Sequence, residues 1–195
     1  MTAPRTRDTR ERILEAAQRL FLAHGYEGTS MDAIQQAVGG SKATLYAHFA
    51  GKDALFAAVL DRAGSGPLAL PLEAGLPVRE TLEQVADKVL QVAGSPWYAR
   101  LQRCVLGRAE AAPELAAAFF EQGAGLAHRE LAAWLRRQHR AGALRCPRPE
   151  RSAELFLGLA QGLHAQRALF GLPPLDAAAR KAWARQAVQA FLTLS

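Results

Sequence analysis

Apolar residues in the first third of the chain repeat at helical spacing. Between residues 9 and 24 they recur at intervals of three, four and seven, which gives one apolar helix face. The same pattern predicts helices at 31–38, 42–49 and 52–63. Ser30 and Ser41 are suitable N-caps for the second and third helices, and the glycine pair between those helices predicts a tight turn.

The segment 64–77 interrupts this pattern with three prolines and four Gly or Ser residues, so we interpret it as a linker. Beyond it, helical patterns resume. The predicted helices are 78–93, 97–111, 113–140, 150–170 and 176–194. The sequence therefore predicts an all-α protein, in which a three-helix helix-turn-helix domain at 1–63 precedes a helical bundle at 64–195.

Composition supports an all-α protein and adds a basic balance. Half of the 195 residues are hydrophobic, mostly Ala and Leu, and the net charge is +6, which suits a polyanionic partner. The excess is not concentrated in the first domain, because residues 1–62 carry eight basic and seven acidic residues. Two cysteines form no disulfide framework, and neither a signal sequence nor a run of about 18–20 apolar residues occurs. We expect a cytoplasmic protein without a cofactor or metal.

The third predicted helix has the residues of a DNA-reading surface. Leu45 and Phe49, four apart, should face the core, which turns Ala43 and Ala47 outward. The outward face is flanked by Lys42, Thr44, Tyr46 and His48. Such side chains can reach base edges or donate to phosphate oxygens in a major groove, and no acidic residue occurs between Ala33 and Lys52.

The segments TRERILEAAQRLF, GYEGTSMDAI and SKATLYAHFAGKDALFAAVL resemble the DNA-binding half of the TetR family over residues 9–60. The resemblance implies a DNA-binding transcriptional regulator, commonly a repressor relieved by a ligand, with double-stranded operator DNA as its partner. It also implies two sets of DNA-binding residues. Those that hold the DNA backbone are Thr29, Ser30, Tyr46, His48 and Lys52, and those that approach bases are Lys42, Ala43 and Thr44.

Four positions depart from the family pattern. The family usually has a small residue at Gln35, Ala at Val38, Val or Ile at Gly40, and Gly at Ala43. We expect Gln35 to tilt the helix pair and Gly40 to remove a core side chain, which would alter the operator sequence rather than the fold.

The basic residues at the start of the chain allow two interpretations. Arg5, Arg7, Arg10 and Arg12 could form an arm that reaches the minor groove, whereas Arg10 and Arg12 could equally be helix-surface charges.

The second half resembles the C-terminal domain of AefR-like members of the same family, in PWYARLQRCVLGRAEAAPELAAAFFEQG and ERSAELFLGLAQGLHAQRALFG. That resemblance implies a bundle whose last two helices pair with a second subunit. Helix 150–170 has a wide apolar surface with Gly158 and Gly162 four apart, and helix 176–194 is also apolar. We therefore predict a homodimer that binds a palindromic operator, with Phe191 in the interface, although a single bundle could bury the same surface.

Aromatic residues of the second domain suggest a cavity for a small apolar or aromatic effector of unknown identity. The predicted ligand-binding residues are Trp97, Tyr98, Cys104, Phe119, Phe120, His128, Trp134, Phe156, Gln161 and His164. Each polar member has an alternative as a surface or satisfied core residue. Cys104 could sense redox changes, or it could be an inert buried thiol.

Two other functional classes compete with a regulator. Catalysis finds no support, since motifs such as GxSxG, the P-loop, GxGxxG and HExxH are absent from the sequence. A ligand-binding or scaffold protein of the same fold that has lost specific DNA binding is the alternative, and Gln35 and Gly40 are its only support.

Overall fold

The computed structural model describes residues 4–64, 69–72 and 75–194, and within those ranges it is helical without strands. The helices are α1 Pro4–His24, α2 Met31–Val38, α3 Lys42–His48, α4 Lys52–Gly64, α5 Val78–Ala93, α6 Pro96–Leu106, α7 Pro113–Phe120, α8 Leu126–Arg140, α9 Pro149–Gln161, α10 His164–Leu169 and α11 Ala177–Leu194. A π-helical turn, Glu121–Gly125, joins α7 to α8. The all-α prediction is confirmed.

The chain forms two compact units. The N-terminal unit contains Met1–Gly64 together with Arg100–Phe119, and the C-terminal unit contains Ser65–Ala99 together with Phe120–Ser195. The division into functional domains at 1–63 and 64–195 stays a prediction, because it concerns which residues bind DNA and ligand.

The core of the N-terminal unit is built from the apolar faces predicted for the first four helices. Phe21, Tyr26 and Phe56 meet at its centre, with ring centroids 4.9–5.7 Å apart. Leu45 and Phe49 are buried as predicted. Leu101 and Val105 of α6 are buried too. The short helices α2 and α3 are thus stabilised by packing on one side, since isolated helices of this length are not stable in water.

The C-terminal unit surrounds a larger apolar core that α5, α8, α9 and α11 share. Trp134 and Phe156 lie inside it, and Phe191 packs edge-to-face on Phe156 with centroids 5.1 Å apart. Within residues 4–64, 69–72 and 75–194, none of the helices combines the length and apolar character that a bilayer crossing requires.

The prediction of one continuous helix over 150–170 is wrong, because the helix breaks at Gly162. This residue has φ +49°, and a Cβ atom there would lie 2.7 Å from Cζ2 of Trp183. The Trp183 indole also donates a hydrogen bond from Nε1 to the Ala160 carbonyl, at 2.9 Å. A large side chain thus occupies the space that a continuing helix with a side chain at 162 would need.

Other helix ends also differ from the predictions. The first helix begins at Pro4 rather than residue 9, which fits the preference of proline for a first helical turn. The helix predicted at 97–111 ends at Leu106, and Gly107 follows it. The segment predicted as one helix over 113–140 is helical throughout, but it widens into the π-helical turn at Glu121–Gly125.

Candidate nucleic-acid interface

Two serine caps and a glycine turn define the helix-turn-helix. Ser30 Oγ accepts a hydrogen bond from the Ala33 amide, and Ser41 Oγ accepts one from the Thr44 amide, both at 3.1 Å. Each cap satisfies an amide that a helix start would otherwise leave unpaired. The two helices therefore begin at the positions that the serines predicted.

The helix α3 presents a polar outer face and an apolar inner face. Leu45 is 3% exposed, whereas the Tyr46 side chain beside it is 50% exposed. Four more residues that were predicted to face outward are exposed, namely Lys42, Ala43, Thr44 and Ala47. His48, the last of the predicted set, is half-buried. The predicted orientation of the helix is confirmed, and the contacts of these residues with DNA stay a prediction.

Lys42 is pre-positioned at the start of this face. Its ammonium lies 2.7 Å from Oδ1 of Asp32 on α2, and both side chains are exposed. The hydrogen bond with Asp32, followed by the charge of that carboxylate, raises the pKa of Lys42. An exposed pair of this kind contributes little to stability, so Lys42 can exchange its partner for a phosphate or a guanine edge at small cost.

Two of the departures from the family pattern are partners in one hydrogen bond. Gln35 Nε2 donates to the Gly40 carbonyl at 2.6 Å, which ties α2 to the turn. Gly40 is exposed with φ +90°, and a Cβ there would meet no atom within 4 Å. The expectation that Gly40 removes a core side chain is therefore wrong, because the position faces open space. The pair fixes the turn that sets α3 against α2.

Thr29 and Lys52 are held by the loop that follows α1. Thr29 is 2% exposed, and its hydroxyl donates to the Gly25 carbonyl at 2.8 Å. Lys52 Nζ donates to the Tyr26 carbonyl at 3.0 Å and lies 4.1 Å from the centre of the Tyr26 ring. Both residues thus have structural partners within the fold, in addition to their predicted role at the DNA backbone.

Arg10 and Arg12 of α1 contact the fold itself. Arg12 Nη2 donates to the Val38 carbonyl at 3.0 Å, where α2 ends. Arg10 lies over the Phe49 ring, 5.2 Å from its centre. These contacts favour the interpretation as helix-surface charges for both residues. The side chains of Arg5 and Arg7 lie outside the described residues.

Sequence reasoning missed a polar cluster around Tyr26. Its hydroxyl donates to Asp53 at the start of α4, and Arg108 pairs with Asp53 at 3.0 Å and with Glu27 at 3.1 Å. The Arg108 guanidinium carbon lies 3.8 Å from the Tyr26 ring centre. Burial, followed by the hydrogen bond with Asp53, raises the pKa of Tyr26 to about 12. No local pattern could have revealed this cluster, since Arg108 lies 55 and 81 positions from its two carboxylate partners.

The predicted ligand-binding residues have dissimilar surroundings. Cys104 and Phe119 belong to the N-terminal unit, and the other eight belong to the C-terminal unit. Among those eight, Trp134 and Phe156 are closed within the core, whereas Phe120 is 58% exposed.

Both histidines of that set have partners near them. The ring of His128 makes a hydrogen bond with the Glu150 carbonyl at 2.9 Å, and His164 packs edge-to-face on Trp183 with centroids 4.8 Å apart. Gln161, Trp97 and Cys104 are half-buried, and Tyr98 is buried. Burial raises the pKa of the Cys104 thiol, which favours the inert alternative over a reactive thiolate.

Comparison with known proteins identifies both halves of the chain. Residues 13–59 match the family described as bacterial regulatory proteins, tetR family, and residues 80–194 match the AefR-like transcriptional repressor C-terminal domain. The chain belongs to the TetR family. The helix-turn-helix built by α2 and α3 lies within the segment that matches the tetR-family model.

Relatives of the chain are regulators of transcription. The repressor ComR of Escherichia coli K12 is 49% identical over 53 residues, which are 27% of this chain and 25% of ComR. The regulator SrpR of Pseudomonas putida is 33% identical over 95 residues, which are 49% of this chain and 44% of SrpR. The chain thus matches between a quarter and a half of the length of these two curated relatives.

Solved structures match over nearly the whole chain. A TetR-family transcriptional regulator from Mesorhizobium loti MAFF303099 has a TM-score of 0.90 and 25% identity, and the match covers 98% of both chains. The flavonoid-responsive regulator FrrA has a TM-score of 0.79 and 32% identity over 96% of both chains.

Proposed function

We propose that this protein represses transcription by binding a palindromic operator as a homodimer. The observation that carries the proposal is the outer face of α3, where exposed Lys42, Thr44 and Tyr46 follow a capped and hydrogen-bonded turn. A surface of this shape and chemistry suits a major groove. Action in the cytoplasm follows from that role, because bacterial operators lie there.

A second apolar face on α9 supports the dimer. Leu155, Gly158 and Gly162 recur at intervals of three and four, opposite the face that enters the core, and half-buried Leu159 also packs against that core. With Trp183 of α11 and the charged residues Arg151 and Glu154, these residues line a surface depression of about 670 Å³, and Leu155 is 52% exposed. A subunit that leaves such a face in water gains by covering it with the same face of a second copy.

This arrangement corrects the residues assigned to the interface. Phe191 is 3% exposed and packs on Phe156, so it belongs to the core of its own unit. Leu155 takes its place in the proposed interface. Replacement of Phe191 by a charged residue would unfold the unit rather than separate two folded subunits, because it would bury an unpaired charge.

The effector that we propose is a small aromatic molecule bound by the C-terminal unit. The relative FrrA is described as flavonoid-responsive, and it matches this chain over 96% of its length. The half-buried Trp97, whose ring packs edge-to-face on Tyr98, is an aromatic partner that a planar ring can reach. Binding weakens the DNA complex only to the extent that the effector prefers the conformation that does not bind DNA.

A gel-shift with DNA from the promoter region of its own gene tests the DNA-binding role. We expect Ala47→Glu, which places a carboxylate on the exposed face of α3, to abolish a specific shift because phosphates repel it. The matched control is Ala57→Glu on an exposed position of α4. Equal binding by both variants, or no specific shift with the wild type on any genomic fragment, would contradict the proposal.

A further inference from the structure

The N-terminal unit contains a cavity that the DNA-binding role does not use. It has a volume of about 580 Å³ and lies between the last turn of α1, the loop 25–28 and the face of α6 that carries Arg100, Arg103 and Cys104. Its size is that of a site for a small molecule.

The charge of the lining is strongly one-sided. Three guanidinium groups, those of Arg100, Arg103 and Arg108, line the cavity against a single carboxylate, that of Glu27. Arg108 already pairs with Glu27 and Asp53, whereas Arg100 has no ion pair among the residues that the structure describes. Because two carboxylates already balance Arg108, the guanidinium of Arg100 is the group that this cavity offers to an anion from solvent.

The lining also offers apolar atoms. Leu22 and Cys104 line the cavity and are half-buried, whereas the Phe21 and Tyr26 rings are closed in the core, at 0% and 6% exposed. An apolar body can lie against Leu22 and Cys104 while an anionic group meets the guanidinium groups, and this division favours an amphipathic anion over an inorganic one.

Backbone carbonyls of residues that line the cavity accept hydrogen bonds from two predicted DNA-contacting residues. The Gly25 carbonyl accepts the hydrogen bond of Thr29, and the Tyr26 carbonyl accepts that of Lys52. The Cys104 thiol donates to the Phe21 carbonyl at 3.6 Å from the α6 side. A molecule in the cavity thus touches the loop that positions two residues at the proposed DNA surface.

We propose that this cavity binds a small organic anion, in which an aromatic or apolar body carries a carboxylate, sulfonate or phosphate. The site differs from the aromatic effector site of the C-terminal unit, and it is defined without reference to DNA. Occupation of the cavity draws Arg108 away from Glu27 and Asp53 and shifts the loop that holds Thr29 and Lys52.

Protection of Cys104 from alkylation tests the site directly. Cys104 lines the cavity and is half-buried, whereas Cys146 is 1% exposed and serves as the internal reference. The rate of modification by N-ethylmaleimide is measured by mass spectrometry for each cysteine, with and without naphthalene-1-sulfonate. We expect about tenfold protection of Cys104 at ten times the dissociation constant, and much weaker protection by the neutral naphthalene-1-methanol.

Variants of Arg100 and Arg103 on α6 test whether the charge of these arginines is responsible for binding the sulfonate. Arg100→Gln with Arg103→Gln should weaken sulfonate binding by a factor of about 4 to 25, since each exposed ion pair is worth a factor of about two to five. Arg100→Lys with Arg103→Lys should retain most of the affinity, and Arg137→Gln with Arg140→Gln on exposed positions of α8 should change nothing. For each variant, the rate of Cys104 alkylation with ligand is divided by the rate without ligand. This ratio is needed because Arg103 lowers the pKa of the Cys104 thiol, against the larger effect of burial, so its replacement changes the rate even without ligand.

Each outcome decides the proposal. Selective protection by the sulfonate that is lost in the Gln pair and kept in the Lys pair supports it, and 1-naphthoate and 1-naphthyl phosphate in the same assay then rank the anion classes. Equal protection by sulfonate and alcohol, no protection of Cys104 up to the solubility limit, or undiminished protection in a folded Gln pair would overturn it. None of these results depends on operator binding, so failure here leaves the proposed repressor role untouched.

Discussion

The two units of the protein differ in which side chains they expose to solvent. In the N-terminal unit, cations near the proposed DNA surface are held by the fold itself, as with Arg12 on the Val38 carbonyl and Lys52 on the Tyr26 carbonyl. The C-terminal unit instead leaves more of its large apolar side chains in water, although Leu106 of the N-terminal unit is exposed too. Leu155, Leu163, Phe170 and Leu172 are between 45% and 78% exposed. Polar groups positioned in advance suit a polyanion that is bound and released, whereas exposed apolar area suits a lasting protein contact.

The largest effect should come from charging the apolar surface of the C-terminal unit. Leu155→Glu places a carboxylate on each side of the proposed dimer interface, and an uncompensated buried charge costs about 3–5 kcal/mol. We expect the dimer to dissociate at least about a hundredfold more readily, as measured by sedimentation velocity over a concentration series. Leu106→Glu is the matched control, because Leu106 is 60% exposed in the N-terminal unit. An unchanged dimerisation constant for Leu155→Glu would show that this face is not the interface.

The next largest effect distinguishes the roles of Lys42 and Lys52 in DNA binding. Lys42→Ala should change the preferred DNA sequence, because Lys42 stands on the outer face of α3. Lys52→Ala should weaken binding to all sequences by about tenfold, and loss of one phosphate contact should lower the salt slope by about 0.9.

Site selection and salt titration measure the two effects. An unchanged preference in Lys42→Ala would reject its base-reading role. A weaker Lys52→Ala complex with an unchanged salt slope would show that Lys52 acts only by positioning the Tyr26 loop, to which its ammonium is bonded.

A smaller effect tests the turn between α2 and α3. Gly40→Ala places a side chain at φ +90°, which costs about 1–2 kcal/mol and should lower the melting temperature by about 2–8 °C. Gly51→Ala is the matched control, since a Cβ at either glycine would meet no atom within 4 Å and only Gly40 has a positive φ. Calorimetry of both variants measures the difference. Equal melting temperatures would show that the turn is not strained by a side chain.

The sequence predicted the N-terminal unit better than the C-terminal one for a physical reason. Helices α2 and α3 begin at serine caps and are separated by glycines, so their limits are encoded within a few residues. The break at Gly162 depends instead on Trp183, twenty-one positions later, and the burial of Phe191 depends on Phe156. Helical periodicity identifies an apolar face, but it does not tell which of two apolar faces enters the core.

The same limit applies to the candidate sites. The outer face of α3 follows from the spacing of Leu45 and Phe49, and its orientation is confirmed. The Arg108 cluster and the cavity beside it bring together residues about eighty positions apart, and no pattern within one helix contains that information.

The smallest effect concerns the Tyr26 cluster and depends on pH. Burial and the hydrogen bond with Asp53 raise the pKa of Tyr26 to about 12, against about 10 in the unfolded chain. Between about pH 10 and 12, the Tyr26 phenol therefore stays protonated in the folded protein while it ionises in the unfolded chain. The contribution of Tyr26 to the free energy of unfolding is fully present below pH 10 and is lost as the pH rises towards 12.

Tyr26→Phe removes both the hydrogen bond and the ionisation. We expect the variant to be less stable than the wild type by about 1 kcal/mol at pH 8. This deficit should shrink between pH 10 and 12, because only the wild type has a phenol at this position to ionise. Urea unfolding at several pH values measures the difference, and the absorbance of tyrosinate reports whether the variant loses a late-titrating phenol. A deficit that stays constant from pH 8 to 12 would mean that Tyr26 titrates alike in both states, and that burial and the hydrogen bond with Asp53 do not hold its proton.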